Sequence, residues 1–242
     1  MTSDKQQNRG AEVQSAASSS ACSGSSLVSR HSSLFLASSN SGKLREFSEA
    51  AALRNVAIEA LPGIAQLAAC IEDGTTFEEN ARKKAIHYSR NCPGLIFADD
   101  SGLCVDALNG APGVYSARFA GPPSSDEKNN QRLLADIHQV EARRRAHAAH
   151  APRPQLFNRA AHYICVIALA EAGQVLTVVE GRADGAIIDE PRGAGGFGYD
   201  PYFFYPPLGK TFAEISPEGK FAVSHRGAAF RKLLDYLCRR EQ

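Results

Sequence analysis

No window of this 242-residue chain approaches the roughly 18 consecutive apolar residues needed to cross a membrane. Its start lacks an apolar signal core, and Lys5, Arg9 and Arg30 are mixed with Asp4 and Glu12, which argues against secretion and against an organellar transit peptide. Net charge is nearly absent: the formal value is +1, which removes any global electrostatic case for a nucleic-acid polymer or an acidic membrane as partner. Local basic residues remain free to hold a small polyanion. The six cysteines (Cys22, Cys70, Cys92, Cys104, Cys165, Cys238) form no CxxC pair and no metal-ligand spacing. Cys165 stands inside the apolar run Tyr163–Ile167, so they read as reduced, mostly buried thiols of a cytoplasmic protein. There is no internal repeat.

What is present suits one sizeable α/β domain after a polar tail. Residues 1–33 are rich in Ser and Ala, with Ser18-Ser19-Ser20 and Ser25-Ser26, and cannot bury enough surface to offset their ordering entropy. They are expected to be disordered, and residues 34–242 to form the domain. Apolar residues make up 43% of the chain, enough for a real core. Leu34–Ala37 reads as a buried strand and Ser38–Lys43 as a polar turn, followed by a helix with Leu44, Phe47, Ala51 and Leu53 near helical spacing. A second helix is predicted from Thr76 to Tyr88, with Thr76 and Glu79 as a capping box. Leu95–Ala98 reads as a buried strand that ends in Asp99-Asp100-Ser101-Gly102.

Asp126–Val140 is predicted helical, and residues 141–158, with Arg143-Arg144-Arg145, Pro152 and Pro154, form a basic surface loop or frayed helix end. Tyr163–Ala170 and Val175–Gly181 are expected to pair as a hairpin turning at Ala172-Gly173, and Arg226–Cys238 to close the chain as an amphipathic helix. Alternating strands and helices followed by a hairpin predict a mixed sheet flanked by helices.

Five stretches carry candidate chemistry. Ser38-Ser39-Asn40-Ser41-Gly42-Lys43 joins a strand to a helix N-terminus, where free backbone N–H groups, the helix dipole and the Lys43 charge suit phosphate. It is not a Walker A loop, since position 37 is Ala and Leu44 follows the lysine. An ordinary capped turn is the competing reading. Asp99-Asp100-Ser101-Gly102 puts adjacent acids at a strand end, where they repel unless a cation holds them. On extended backbone only one of the two faces a given side. Glu72-Asp73-Gly74 offers a further carboxylate, and Mg²⁺ needs only one or two alongside water and phosphate oxygens. Gly193–Pro201 places Phe197 and Asp200 among glycines that let backbone approach a flat ligand. Lys220, His225 and Arg226 are cationic or imidazole groups near a helix start, electrostatically misplaced unless an anion or a base edge receives them.

In order along the chain, Ser39–Phe47, Thr76–Ala81, Ala98–Leu103, Ala111–Arg118, Gly195–Pro201 and Ser224–Gly227 together resemble the inosine triphosphate pyrophosphatase family, from about Leu34 to the C-terminus. The resemblance implies an elongated mixed α/β fold of two lobes with an active-site cleft between them, commonly a homodimer. It implies hydrolysis of nonstandard purine nucleoside triphosphates (ITP, dITP, XTP) to a monophosphate and pyrophosphate. By position, Ser38, Ser39, Asn40, Ser41, Gly42 and Lys43 would hold the triphosphate. Glu72 and Asp100 would hold Mg²⁺, with Asp100 as general base and Ser101 touching substrate. Phe197, Gly198, Tyr199, Asp200, Lys220, His225 and Arg226 would form the pocket for base and sugar. Two alternatives stay open at this point: a pyrophosphatase for pyrimidine triphosphates of the septum-associated type, and a catalytically silent nucleotide-binding protein.

Overall fold

The computed structural model of the protein describes residues 34–52, 56–148 and 158–240. The expected disordered tail, Leu53, and residues 149–157 of the basic excursion lie outside the described residues. Twelve strands and helices follow in order: β1 (Leu34–Leu36), α1 (Ser41–Ala52), β2 (Ile58–Ala60), α2 (Phe77–Ser89), β3 (Leu95–Val105), α3 (Asp126–Ala148), β4 (Ala160–Glu171), β5 (Gln174–Ile187), β6 (Phe203–Tyr205), β7 (Lys210–Thr211), α4 (Pro217–Val223) and α5 (His225–Arg240). The strands form one seven-stranded sheet in the order β2-β1-β3-β4-β5-β6-β7. β1 runs parallel to β2 and β3, and every later pairing is antiparallel. The mixed α/β architecture expected from the sequence is present.

Local chemistry sets several of these boundaries. Thr76 caps α2 through a complete capping box with Glu79, as its sequence predicts. The β4–β5 hairpin turns at Ala172 (φ 49°) and Gly173 (φ 80°), both left-handed, a backbone twist that matches the flanking strands.

Two expectations need correction. The acids do not end a strand. β3 continues through them to Val105 because Leu103 and Val105 are fully buried and β4 pairs with β3 in register from Ile96↔Ala170 to Val105↔Ala161. The basic excursion begins as helix. α3 runs on to Ala148, held partly by Glu141, which accepts two hydrogen bonds from Arg159 (2.7 and 3.0 Å). Lys220 lies on the separate short helix α4, with Ser224 between it and α5.

The period-2 alternation of β3 sorts its side chains to opposite faces. Leu95 and Phe97 point into a core shared with α1 and α5, where Phe47 meets Phe97 edge-to-face at 5.4 Å. Ile96 and Ala98 point into a second core under α2, against Ala81, Ala85 and Tyr88. A third core, around Leu103, Leu133, Ile137, Tyr163, Phe203 and Phe212, builds the far lobe. Asp99 and Asp100 lie mid-strand, where the lobes meet.

Candidate active site

The turn after β1 is held by its own side chains. Asn40 Oδ1 accepts from the Lys43 N–H (3.1 Å), capping α1, and Ser38 Oγ accepts from the Asn40 N–H (3.2 Å). With its carbonyl oxygen used in the cap, Asn40 keeps its amide N–H groups for the cavity. Lys43 projects across to Asp99 at 2.9 Å. Gly42 sits so close to Asn40 and Phe197 that a Cβ there would meet them at 3.1 and 3.4 Å, so the turn and the glycine-rich loop touch.

The two adjacent acids part as strand geometry requires. Asp99 faces α1 and α5, with Lys43 beside it and Ser101 Oγ donating at 2.6 Å. Burial alone would raise its pKa, but Lys43, Arg226 and Lys84 outweigh that and hold the carboxyl far below the usual range. Asp100 faces α2, where Asn80 Nδ2 donates to it at 3.0 Å. Here burial wins over Lys84, Asn80 and Lys43, with Glu72 adding repulsion, and the pKa is raised. The two adjacent carboxylates thus sit in opposite electrostatic environments.

Lys84 joins Asp100 to Glu72. Its Nζ lies 2.8 Å from Glu72 and 3.7 Å from Asp100. Asp73 turns outward to Lys83, so of the tandem acids only Glu72 faces the cavity. No group of three or more potential metal ligands occurs among the described residues. The donor set nevertheless fits Mg²⁺: two carboxylates already converge on one cation, the Lys84 ammonium, and the remaining coordination would fall to water and phosphate oxygens.

At the other end, Phe197 presents its ring with the Lys220 Nζ at 5.1 Å and the Arg226 guanidinium at 5.0 Å from the ring centre. Asp200 does not face outward. Its Oδ2 accepts from Lys220 (2.6 Å) and from the Phe197 N–H (2.9 Å), holding the loop in shape. Gly196, at φ +70°, permits this closeness, since a Cβ there would meet Asp200 at 2.1 Å. Tyr199 donates its hydroxyl to the Ser116 carbonyl (2.8 Å). His225 stacks on Tyr163 with ring centres 4.6 Å apart. Burial, then Arg226, Lys220 and Lys43, push its pKa well below the ordinary value, so the imidazole is neutral. Neither of its buried ring nitrogens, nor Arg226 Nε, has a hydrogen-bond partner among the described residues.

Several residues of the site went unnoticed in the sequence. Glu46 on α1 receives Lys220 (2.8 Å) and Arg226 (3.0 Å) together. It lies three positions after Lys43 on the same helix face, a spacing visible in the sequence. Lys84 and Asn80 share the buried face of α2 with Ala81, Ala85 and Tyr88, so a polar pair on an apolar stripe was the available signal. On α3, Asp126 accepts from the Gly198 N–H (2.7 Å) and Asn130 donates to the Gly198 carbonyl (3.0 Å), one turn apart. Asn129 meanwhile accepts from the Ala120 N–H and donates to the Ala117 carbonyl. Nothing in the sequence marked that clamp.

One cavity of about 640 Å³ is lined by Ser38, Ser39, Asn40, Lys43, Glu72, Asp100, Ser101, Phe197, Gly198, Tyr199, Asp200, His225 and Arg226. Lys220 adjoins it through Phe197 and Asp200, and Ser41 and Gly42 begin the helix beneath. The predicted residues, scattered over nearly the whole domain, thus meet at one place. A cleft that gathers a helix-capping polar turn, converging carboxylates and an aromatic-cationic slot suits a nucleotide-handling α/β protein.

Residues 34–236 match the Ham1 family, and the chain belongs to it. A dITP/XTP pyrophosphatase of Acidobacterium capsulatum is 48% identical over 210 residues, covering 83% of this chain and 96% of the relative. One from Geobacter sulfurreducens is 44% identical, covering 84% and 96%. Among solved structures, a HAM1 protein from Coxiella burnetii superposes with a TM-score of 0.71 at 38% identity, covering 86% of this chain and 98% of that one.

Proposed function

We propose that this chain hydrolyses nonstandard purine nucleoside triphosphates (ITP, dITP and XTP) to the monophosphate and pyrophosphate, in a Mg²⁺-dependent reaction that cleanses the cytoplasmic nucleotide pool. The observation that carries the reading is the polarity of the cavity. Glu72, Lys84 and Asp100 form one charged cluster on it, and Phe197, His225 and Arg226 a second, aromatic and cationic one. Dominant relatives named as dITP/XTP pyrophosphatases support the same substrates.

In this reading the cradle from Ser38 to Lys43 binds the polyphosphate and Glu72 with Asp100 holds the metal. Bound there, Mg²⁺ would neutralise phosphate charge and favour attack at phosphorus. Asp100 takes the proton from the attacking water as the bond between α and β phosphates breaks and pyrophosphate leaves. Phe197 stacks on the base. The unpartnered donors of His225 and Arg226 meet a 6-oxo group, whereas an adenine amino group would leave them unpaired, a mismatch worth about 10²-fold or more in selectivity. The protein is expected to act as a homodimer, which sedimentation would test.

The decisive assay measures pyrophosphate release from ITP, XTP, dITP, ATP, dTTP and UTP with and without Mg²⁺. Preference for ITP and XTP and a need for Mg²⁺ are expected. Preference for dTTP or UTP would instead mean a pyrimidine enzyme. Asp100→Asn should abolish turnover while ITP still binds; a fully active variant would remove Asp100 from the chemistry.

A further inference from the structure

The cations around the cavity are matched by carboxylates with one exception. Lys43 pairs with Asp99, Lys84 with Glu72, Lys220 with Asp200 and Glu46, and Arg226 with Glu46. Arg118 lines the same cavity, and no carboxylate among the described residues forms an ion pair with it. Two weak tethers hold its guanidinium: a 3.4 Å hydrogen bond to the Glu72 carbonyl and a position 5.3 Å over the Tyr115 ring, which is itself 57% exposed. Both are easily exchanged for a better partner.

The backbone beneath it is fixed. Residues Gly113–Arg118 form a tight helical turn. Ser116 Oγ accepts from the Leu103 N–H of β3 (2.9 Å) and donates to the Gly113 carbonyl (2.6 Å), Tyr199 grips the Ser116 carbonyl, and Asn129 grips that of Ala117. A rigid platform thus delivers a loosely held guanidinium into the cavity beside Glu72. Its planar fork of donors suits bidentate contact with phosphate oxygens.

We propose that Arg118 leaves the Glu72 carbonyl to clamp the phosphates farthest from the base, the two that depart as pyrophosphate. The inference rests on the function proposed above and assigns a role to a residue for which that reading has no task.

The test compares binding of inorganic pyrophosphate with binding of IMP, by calorimetry in the presence of Mg²⁺, for wild type, Arg118→Ala and Arg118→Lys. Loss of a charge-assisted contact predicts pyrophosphate affinity lowered about 10-fold or more in Arg118→Ala, with partial recovery in Arg118→Lys. IMP affinity should change less than about 2-fold in both, which also certifies that the variants fold. Unchanged pyrophosphate affinity, or an equal loss for IMP, would overturn the role of Arg118 while leaving the proposed function standing. If the wild-type protein bound neither ligand, the function itself would fall, and this proposal with it.

Discussion

Gly181 offers a sharp test of how the proposed base pocket is positioned. It lies on β5 opposite Cys165 of β4, which in turn pairs with Ser101 of β3, so the three residues cross the sheet at the level of the acids. The start of α5 rests directly on it. A Cβ on Gly181 would sit 2.1 Å from the His225 carbonyl oxygen and 2.3 Å from the Ala229 nitrogen. Ordinary contact begins near 3.4 Å, so Gly181→Ala must lift the N-terminus of α5 by more than an ångström, and backbone cannot rotate aside as a side chain can. His225 and Arg226 move with it. Overpacking of this kind costs about 2 kcal/mol, or about 4–8 °C in Tm for a domain of this size. An ångström of misplacement at a reacting pocket costs about 10²-fold in kcat/KM. Thermal melts and ITP kinetics of Gly181→Ala would measure both. If stability falls but kcat/KM and the preference for ITP over ATP persist, this helix–strand contact does not position the pocket. If neither changes, the close approach itself is refuted.

Further outcomes follow from the same geometry. Lys84→Met leaves Glu72 and Asp100 facing each other and should lower stability by about 2–4 kcal/mol, with millimolar Mg²⁺ raising the melting temperature of the variant more than that of wild type; equal shifts would detach Lys84 from the metal position. His225 is buried and neutral with a depressed pKa, so unfolding takes up a proton and stability falls as pH drops below its ordinary value of 6.5. Denaturation of His225→Gln between pH 7.5 and about 5 should show a shallower slope than wild type. Asn130→Ala frees the Gly198 carbonyl and should raise KM for ITP about 5–10-fold with a smaller change in kcat, whereas unchanged KM would show the α3 clamp to be dispensable.

What the sequence disclosed depended on how local the determining physics was. The capping box at Thr76, the hairpin at Ala172-Gly173 and the start of β1 rest on neighbouring residues, and each was legible. So was the division of Asp99 from Asp100, because opposite-facing side chains follow from extended backbone alone. The true length of β3 was not: Ser101 and Gly102 look like a turn, and only the ten-pair register with β4 makes them strand. Short strands such as β2, β6 and β7 have too few residues to show a period. Buried ion pairs were the least visible. Glu46 meets Lys220 across 174 positions, and no spacing rule reaches that far. Asp200 lines the cavity, and its contacts with Lys220 and the Phe197 N–H, which no local spacing announces, also make it a brace for the loop that carries Phe197.

β3 and β4 stay hydrogen-bonded without interruption from one lobe into the other, and Asp99 and Asp100 sit in the middle of that ladder. There is therefore no linker to act as a hinge at the bottom of the cleft. Any closure over a bound molecule must come from the rims, from loops such as those bearing Glu72 and Phe197, while the floor stays still. Asp100 is mounted on a continuously paired strand, which leaves it mainly the rotation of its own side chain.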